Sequence, residues 1–566
     1  MPTVQGTDIN QFFTATINLL VGQNSEARLI NAFVNGLDIS SIGGKDPSHM
    51  GRPSYSNLAL LKLVIYGYRK NVRSSRNLEE ICKTNIEAIY LMNCVKPNFR
   101  TISDFRKNNI ELIQNVFYEF LARINGAVEW GFVSVDGTKL QASNSRENNF
   151  TKHKLDDRVR ALDGHIEEYS EAISNLDEKE ILTKEEVRLK NGIEKRLKDA
   201  EKRCARYKIY QKEMEETGAT QLSLTDPDSR LMTAKGGCVV AYNPQVAVDS
   251  NTHLIKDFQM TNHVTDHGLL SSTVQGIRAE KPNDGILELV ADKGYENKQD
   301  MVQCLENGVI PHVIPDGEKD NYILEIPYEE GGADPSSTRS EDLKKCLHNG
   351  VIPEAYKDVL SDIEVVEVRR KVEQEQPEVV VKSLYKSSEE MIARAQEGYF
   401  VRDPENNVVY CPNGESLRQK SIKNNGQIRY ANKTACRRCP NRNKCYKGGL
   451  GWNEVDFTKD RLEKPCKPWL KAEGKPIEKQ SYGPRGQYEK KKIVRFTLTP
   501  NKTMTAQRKN LSEHPFGTIK RAMGADYLLL RGMAKATAEF ALFCLGYNLV
   551  RASNLLGFDN LMSLLS

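Results

Sequence analysis

Residues Trp130–Leu140 read WGFVSVDGTKL. Apolar and polar side chains alternate there with the period of two that marks a half-buried strand. Asp136 lies inside that alternation, a costly place for a charge unless it faces a site or a metal. The same pattern returns in CVVAYNPQVAVD (Cys238–Asp249) and HLIKDFQM (His253–Met260). A helix near Asp266–Arg278, a strand LELVAD (Leu287–Asp292), a helix around Lys298–Asn307 and a strand VIPHVI (Val309–Ile314) follow. Three meandering strands and then crossover units predict an α/β fold, a mixed sheet flanked by helices. In this order the first and fourth strands can be neighbours, so Asp136 and Asp292 can meet at one end of the sheet.

Outward from that sheet, residues 1–125 read as an all-α domain. Apolar residues recur at three and four spacing in Asn57–Tyr68 and Leu78–Met92, and the joint RKNVRSSR (Arg69–Arg76) carries four basic residues. Short helices with a basic joint suit a helix-turn-helix-like DNA-binding unit, and equally a small helical domain with a solvated loop. Residues 126–314 form the first part of the core. Inserted in it, 152–216 carries 16 basic and 17 acidic residues. Leu155, Val159, Leu162, Ile166, Tyr169, Ile173 and Leu176 make a heptad seam, and Thr183 with Glu186 forms a capping box that opens a second helix. An antiparallel helical hairpin is expected. Residues 315–500 lose the regular alternation and read as a large α+β and loop insertion with a cysteine-rich basic module at 405–450. Helical character returns over 501–566.

The chain has 566 residues, with 81 Lys plus Arg against 76 Asp plus Glu, a formal net charge of +5. This length and composition exclude a disordered chain and a lone binding module. The beginning MPTVQGTDINQFF lacks a secretory pattern, and the apolar stretch Ala538–Val550 is too short to span a bilayer. A cytoplasmic location without membrane attachment is expected, with nucleoid association when bound to DNA. The mean charge conceals segregation: 316–380 sums to −9, 416–447 has 10 basic residues and no acidic one, and 485–521 has 10 basic and 2 acidic. Basic blocks of this kind bind phosphate backbones with salt-dependent affinity.

Two constellations can carry chemistry. Asp136, Asp292 and Glu513, the last in RKNLSEHPFGTIKR (Arg508–Arg521), offer carboxylates without a suitably placed Cys or His, a donor set for a hard cation such as Mg²⁺. Taken singly, each acid also reads as a turn, strand-end or helix-cap residue. Glu513 and Lys520 are seven apart and share a face if the helix is continuous, which Pro515 and Gly517 leave open. The second constellation is Cys411, Cys436, Cys439 and Cys445. The Cys436-x2-Cys439 spacing lets two thiolates grip one tetrahedral metal, and a structural Zn²⁺ site stands against four free thiols, with Cys346 or Cys466 as substitute ligands. Cys82, Cys94, Cys204, Cys238, Cys304 and Cys544 read as buried small hydrophobes. Asp226 and Asp228 in LTDPDSRLM read as a turn, and Asp266 and His267 as a loop.

VDGTKLQA (Val135–Ala142), LTDPDSRLM (Leu224–Met232), ADKGY (Ala291–Tyr295) and EHPFGTIKR (Glu513–Arg521), in that order, resemble the DDE transposases of bacterial insertion sequences. The likeness is to the long-chain branch with a large insertion before the last acid. The resemblance implies an RNase H-like core completed by the C-terminal helices, in which Asp136, Asp292 and Glu513 bind two Mg²⁺ ions, with Mn²⁺ as substitute. Related enzymes carry a Tyr and an Arg before the Glu and a Lys seven after it. Lys520 fits. Ala506 and Lys509 stand where the Tyr and Arg are expected, so the Tyr is absent and the Arg replaced or shifted to Arg508.

The function expected is therefore a DNA transposase that binds terminal inverted repeats and catalyses Mg²⁺-dependent strand cleavage and strand transfer. The alternatives are an RNase H-like structure-selective nuclease and an inactive transposase-derived DNA-binding protein. The partners expected are double-stranded DNA, both element ends and target, and a second copy of the chain on that DNA. Lys139, Tyr295, Arg508, Lys509, Lys520, Arg521, Arg437, Arg438, Arg442 and Lys444 are the expected DNA contacts.

Overall fold

The computed structural model describes residues 16–38, 55–179, 183–234, 236–280, 285–315, 320–371, 385, 387–423, 427–446, 452–458, 461–474 and 488–566. The chain divides into two compact units, one of residues 1–366 and 492–566, the other of 367–491.

The first unit is built on a five-stranded sheet of β1 (Val133–Gly137), β2 (Gln245–Asp249), β3 (Ile255–Gln259), β4 (Leu287–Ala291) and β5 (Val309–Val313), in the order β5-β4-β1-β2-β3. β1, β4 and β5 run parallel, and β2 runs antiparallel to both of its neighbours, β1 and β3. The predicted meander and crossovers thus form one mixed sheet. The predicted strand Cys238–Asp249 divides, however. Gly237–Tyr242 joins a separate three-stranded sheet with Leu140–Gln141 and Arg230–Ala234, and only Gln245–Asp249 enters the main one. Pro244, which has no N–H to give to a ladder, stands at the break.

Both faces of the sheet are covered. Val133, Val135, Leu289 and Ala291 pack in one core with Met301 and Leu305 of the helix Lys298–Glu306. Val246, Val248, Ile255 and Phe258 face a second core that contains the N-terminal helices and the helix Met533–Leu556. That last helix is buried on all sides over Ala538–Leu549, which explains its uninterrupted apolar sequence: it is the centre of a core. Among the described residues no helix is long and apolar enough to cross a membrane.

The N-terminal helices, among them Asn57–Arg69 and Ser75–Thr84, therefore share a core with the C-terminus of the chain. The basic joint between them is partly spent on that packing. Arg73 is buried and donates to the Tyr527 carbonyl at 2.7 Å. Glu539, fully buried, accepts from the Tyr68 hydroxyl at 3.1 Å and from the backbone N–H groups of Leu529 and Leu530 at 2.9 and 2.8 Å, with Arg73 3.9 Å away. Asp228 accepts from the Met533 N–H at 2.7 Å and so caps the final long helix; neighbouring Asp226 receives the Tyr242 hydroxyl. The helical hairpin forms from Lys152–Asp177 and Lys184–Thr217, with the Thr183–Glu186 capping box in place.

The second unit contains a six-stranded antiparallel sheet of strands between Tyr399 and Pro465, with short helices at Lys433–Arg438, Arg442–Cys445 and Lys467–Ala472. Cys82, Cys204, Cys304 and Cys544 are buried as expected, but Cys94 and Cys238 are exposed. Cys94 follows the end of its helix in a positive-φ turn, and Cys238 begins a strand at its solvent edge.

Candidate active site

β1 pairs with β4 through Val133 opposite Leu289 and Ser134 opposite Val290. Carried two residues on, that offset sets Asp136 level with Asp292, the residue just past β4. Neighbouring strands lie about 4.8 Å apart and register partners project to the same side, so the two carboxylates share one sheet end. Asp292 is half-buried and held by the turn it starts, its Oδ1 accepting from the Gly294 N–H at 2.8 Å. Asp136 accepts from the Gly137 N–H at 2.8 Å. A side chain at Gly137 would crowd this end of the sheet, since a Cβ would run into the buried Gln245 amide.

The helix Lys502–Gly517 packs across these strand ends, against β1, β2 and β4. Asn501 caps it, accepting from the Thr503 and Met504 N–H groups at 2.9 and 3.2 Å. It runs through Pro515 and passes into a π-helical turn over Thr518–Ala522, so Glu513 and Lys520 belong to one continuous helical stretch but not to one regular α-helix. Its residues aimed at Asp136 are Arg508, whose Nη1 lies 3.6 Å from Oδ2, and Ser512, which hydrogen-bonds to the carboxylate. These two are four apart and share a helix face. Glu513, one position on from Ser512, is exposed, and no hydrogen bond or ion pair engages it among the described residues. The fold thus brings Asp136 and Asp292 together and carries Glu513 on the helix above them, with its side chain turned to solvent.

Burial raises the pKa of Asp136 and the charge of Asp292 adds to the effect, while Ser512, Arg508 and the Gly137 N–H oppose it. A site that leaves a half-buried carboxylate with a raised pKa is suited to a cation. Among the described residues, however, no three His, Cys, Asp or Glu side chains converge closely enough to hold a metal ion.

A third aspartate at this end of the sheet, Asp266, lies in a loop as the sequence suggested, but with partners the sequence did not announce. Asp266 Oδ1 receives the Lys139 ammonium at 3.1 Å, the Asn243 amide at 2.7 Å and the Gln245 amide at 3.0 Å. The predicted helix over Asp266–Arg278 starts only at Leu270, after Gly268 at φ +76°, and divides into Leu270–Thr273 and Gln275–Glu280. No periodicity could announce a loop acid held by three distant donors. Asp136, Asp266 and Asp292 all lie close enough to Tyr295 to hold its hydroxyl, with burial the largest cause, well above the ordinary tyrosine range.

The expected DNA contacts separate accordingly. Tyr295 does not fit that role: it is fully buried and its hydroxyl donates to Gln245. Lys139 is committed to Asp266, and Arg508 to Asp136. Lys520 donates to the Thr138 hydroxyl and to the Lys139 carbonyl, so it braces the loop that follows β1. Lys509 and Arg521 are exposed. In the second unit Arg437, Arg438, Arg442 and Lys444 are exposed as well, with Lys444 paired to Glu473 at 2.8 Å and Arg437 set over the Trp452 ring at 5.4 Å. The basic block around them is less positive than its sequence window suggests. Lys420 and Arg429 meet Glu454, and Lys423 and Arg429 meet Asp456, acids on the adjacent strand Glu454–Phe457 that lie outside the window.

Two family models match the chain. Residues 16–108 match a transposase domain (DUF772), and residues 410–553 match a transposase DDE domain. Both matches support a DDE-type transposase of an insertion element. The DDE domain implies an RNase H-like α/β fold, in keeping with the mixed sheet and the helical N-terminal region. The second match contains Glu513 and the cysteines from Cys411 onward; Asp136 and Asp292 precede it. No curated protein and no solved structure matches the chain.

Proposed function

We propose that the chain binds the terminal inverted repeats of its element and catalyses divalent-metal-dependent DNA cleavage and strand transfer, with Asp136, Asp292 and Glu513 as the catalytic acids. The observation that carries this reading is the parallel pairing that sets Asp136 level with Asp292 beneath the helix bearing Glu513. The donor set fits Mg²⁺, or Mn²⁺ in its place: all three groups are carboxylates, and Asp136 lies in a buried setting where a second negative charge is already unfavourable. Bound between them, a pair of such ions supplies charge stabilisation for both the attacking and the leaving oxygen of a phosphoryl displacement.

The chain's own residues do the rest. Asp136 and Asp292 are fixed by backbone N–H groups, so their carboxylates arrive oriented. Ser512 and Arg508 offset part of the effect of burial, which still leaves the Asp136 pKa raised. The role of Glu513 requires its exposed carboxylate to swing inward toward the pair. Lys520 fixes the loop after β1, and the exposed Lys509 and Arg521 are placed to meet the DNA backbone. Synapsis of two ends calls for two copies of the chain on DNA.

The test is cleavage of terminal-repeat DNA with Mg²⁺ and formation of joined target product. Asp136→Ala, Asp292→Ala and Glu513→Ala are each expected to abolish both steps while leaving DNA binding intact. Activity surviving these substitutions overturns the assignment, and cleavage without joined product favours the structure-selective nuclease.

A further inference from the structure

The second unit gathers five cysteines from four separate elements. Cys411 follows the strand Val408–Tyr410, Cys436 lies on the helix Lys433–Arg438 with Cys439 just beyond, Cys445 ends Arg442–Cys445, and Cys466 precedes Lys467–Ala472. Cys411, Cys436, Cys439 and Cys445 line one cavity of about 30 Å³, room for an ion or a water. Cys466 is buried, and Cys411, Cys436 and Cys445 pack against the apolar cluster that contains it.

One distance brings Cys466 into the set. The sulfurs of Cys445 and Cys466 are 3.8 Å apart. In a tetrahedral four-thiolate zinc site with Zn–S near 2.3 Å, neighbouring sulfurs are also about 3.8 Å apart. The outer donors extend the selection. Bound thiolates are steadied by N–H groups aimed at sulfur. Cys411 has the backbone N–H groups of Asn413 and Glu415, Cys436 that of Asn453, and Cys466 that of Trp469, while Cys445 receives the Asn453 side-chain amide at 3.2 Å. The described residues supply no such donor to Cys439. No three of the thiols yet surround one point, so closing the site takes side-chain rotation.

We propose that this unit binds one zinc ion through Cys411, Cys436, Cys445 and Cys466, with Cys439 outside the coordination sphere. This departs from the Cys411, Cys436, Cys439, Cys445 set that the sequence spacing suggested. Binding converts four thiols to thiolates and releases their protons to the buffer, with no change of oxidation state. The ion ties together the two short helices that carry Arg437, Arg438 and Arg442, so these side chains project from a fixed surface. This proposal does not depend on the carboxylate site and stands or falls apart from it.

The test uses the full chain purified under reducing conditions. Metal analysis is expected to find about one zinc per chain, and replacement by Co²⁺ to give the intense sulfur-to-metal charge-transfer and tetrahedral ligand-field bands of a four-thiolate site. Cys466→Ser is expected to lose the metal and Cys439→Ser to keep it. Wild-type chain that takes up neither zinc nor cobalt overturns the proposal, as does a Cys445–Cys466 disulfide in the protein as isolated. Loss of metal in Cys439→Ser, or its retention in Cys466→Ser, overturns the ligand assignment. Should Cys466→Ser fail to fold, the cobalt spectrum of Cys439→Ser decides: four-thiolate bands that survive the substitution keep Cys439 outside the set, and bands of fewer than four thiolates overturn the assignment.

Discussion

Glu539 offers a quantitative test of how the two ends of the chain are joined. Its carboxylate is fully buried and accepts from the Tyr68 hydroxyl and from the N–H groups of Leu529 and Leu530, beside the equally buried Arg73. Glu539→Ala strips all three donors of their acceptor and leaves Arg73 without its counter-charge. A hydrogen bond to a charged group contributes roughly 1.5–3 kcal/mol, but the losses overlap. The expected cost is about 3–5 kcal/mol, that of breaking a buried ion pair from one side. Glu539→Gln keeps an oxygen for the Leu529 and Leu530 N–H groups and is expected to cost about 1 kcal/mol. The two variants also separate in pH. Burial, the largest influence on Glu539, raises its pKa above the usual carboxylate value, so the folded state loses stability as pH rises through that pKa. Glu539→Gln escapes this loss and improves relative to wild type as pH rises. Urea unfolding followed by far-ultraviolet circular dichroism reads all of this. Glu539→Ala within about 0.5 kcal/mol of wild type, the range of a neutral surface change, refutes the view that this network joins the N-terminal helices to the final helix. A Gln variant as damaged as the Ala variant refutes the hydrogen-bond account of it.

Two further predictions concern the site and the basic surface. Because Asp136 has a raised pKa from burial and from Asp292, its ionised form penalises the folded state. Asp136→Asn is therefore expected to abolish cleavage and yet, in metal-free buffer, to unfold at higher urea than wild type near pH 7, an advantage that shrinks as pH falls through the Asp136 pKa; equal midpoints at both pH values contradict this. Replacing Arg437, Arg438 and Arg442 together by Glu is expected to weaken DNA binding and to flatten the plot of log affinity against log salt by about three, close to 0.9 for each phosphate that the chain no longer neutralises. An unchanged salt slope in fluorescence anisotropy assigns the DNA surface elsewhere.

The sheet was legible because β1 to β5 are short runs rich in Val and Ile, and because strand order follows from chain order once crossovers are recognised; the half-buried alternation expected of them is not found, since covering on both faces buries their polar as well as their apolar positions. Asp136 and Asp292 were legible for the same reason: a charge at the end of an apolar strand contradicts its surroundings unless something there needs it. What the sequence conceals is partnership at long range. Asp266 looked like a loop residue, yet it gathers Lys139, Asn243 and Gln245. Arg73 belonged to a basic joint suited to DNA, and it is buried against Tyr527 and Glu539, more than 450 positions away. The charge windows failed in the same manner, since Glu454 and Asp456 neutralise Lys420, Lys423 and Arg429 across strands rather than along the chain. Glu513 is a different case. Its spacing to Lys520 was read correctly as a number, but a π-helical turn intervenes, and spacing on a helix fixes direction only while the helix keeps its period. Arg508 and Ser512, four residues apart on the regular part, face Asp136. Glu513 therefore stands one position along from the face that meets Asp136, and the proposed mechanism requires its side chain to turn inward before it can act with Asp136 and Asp292.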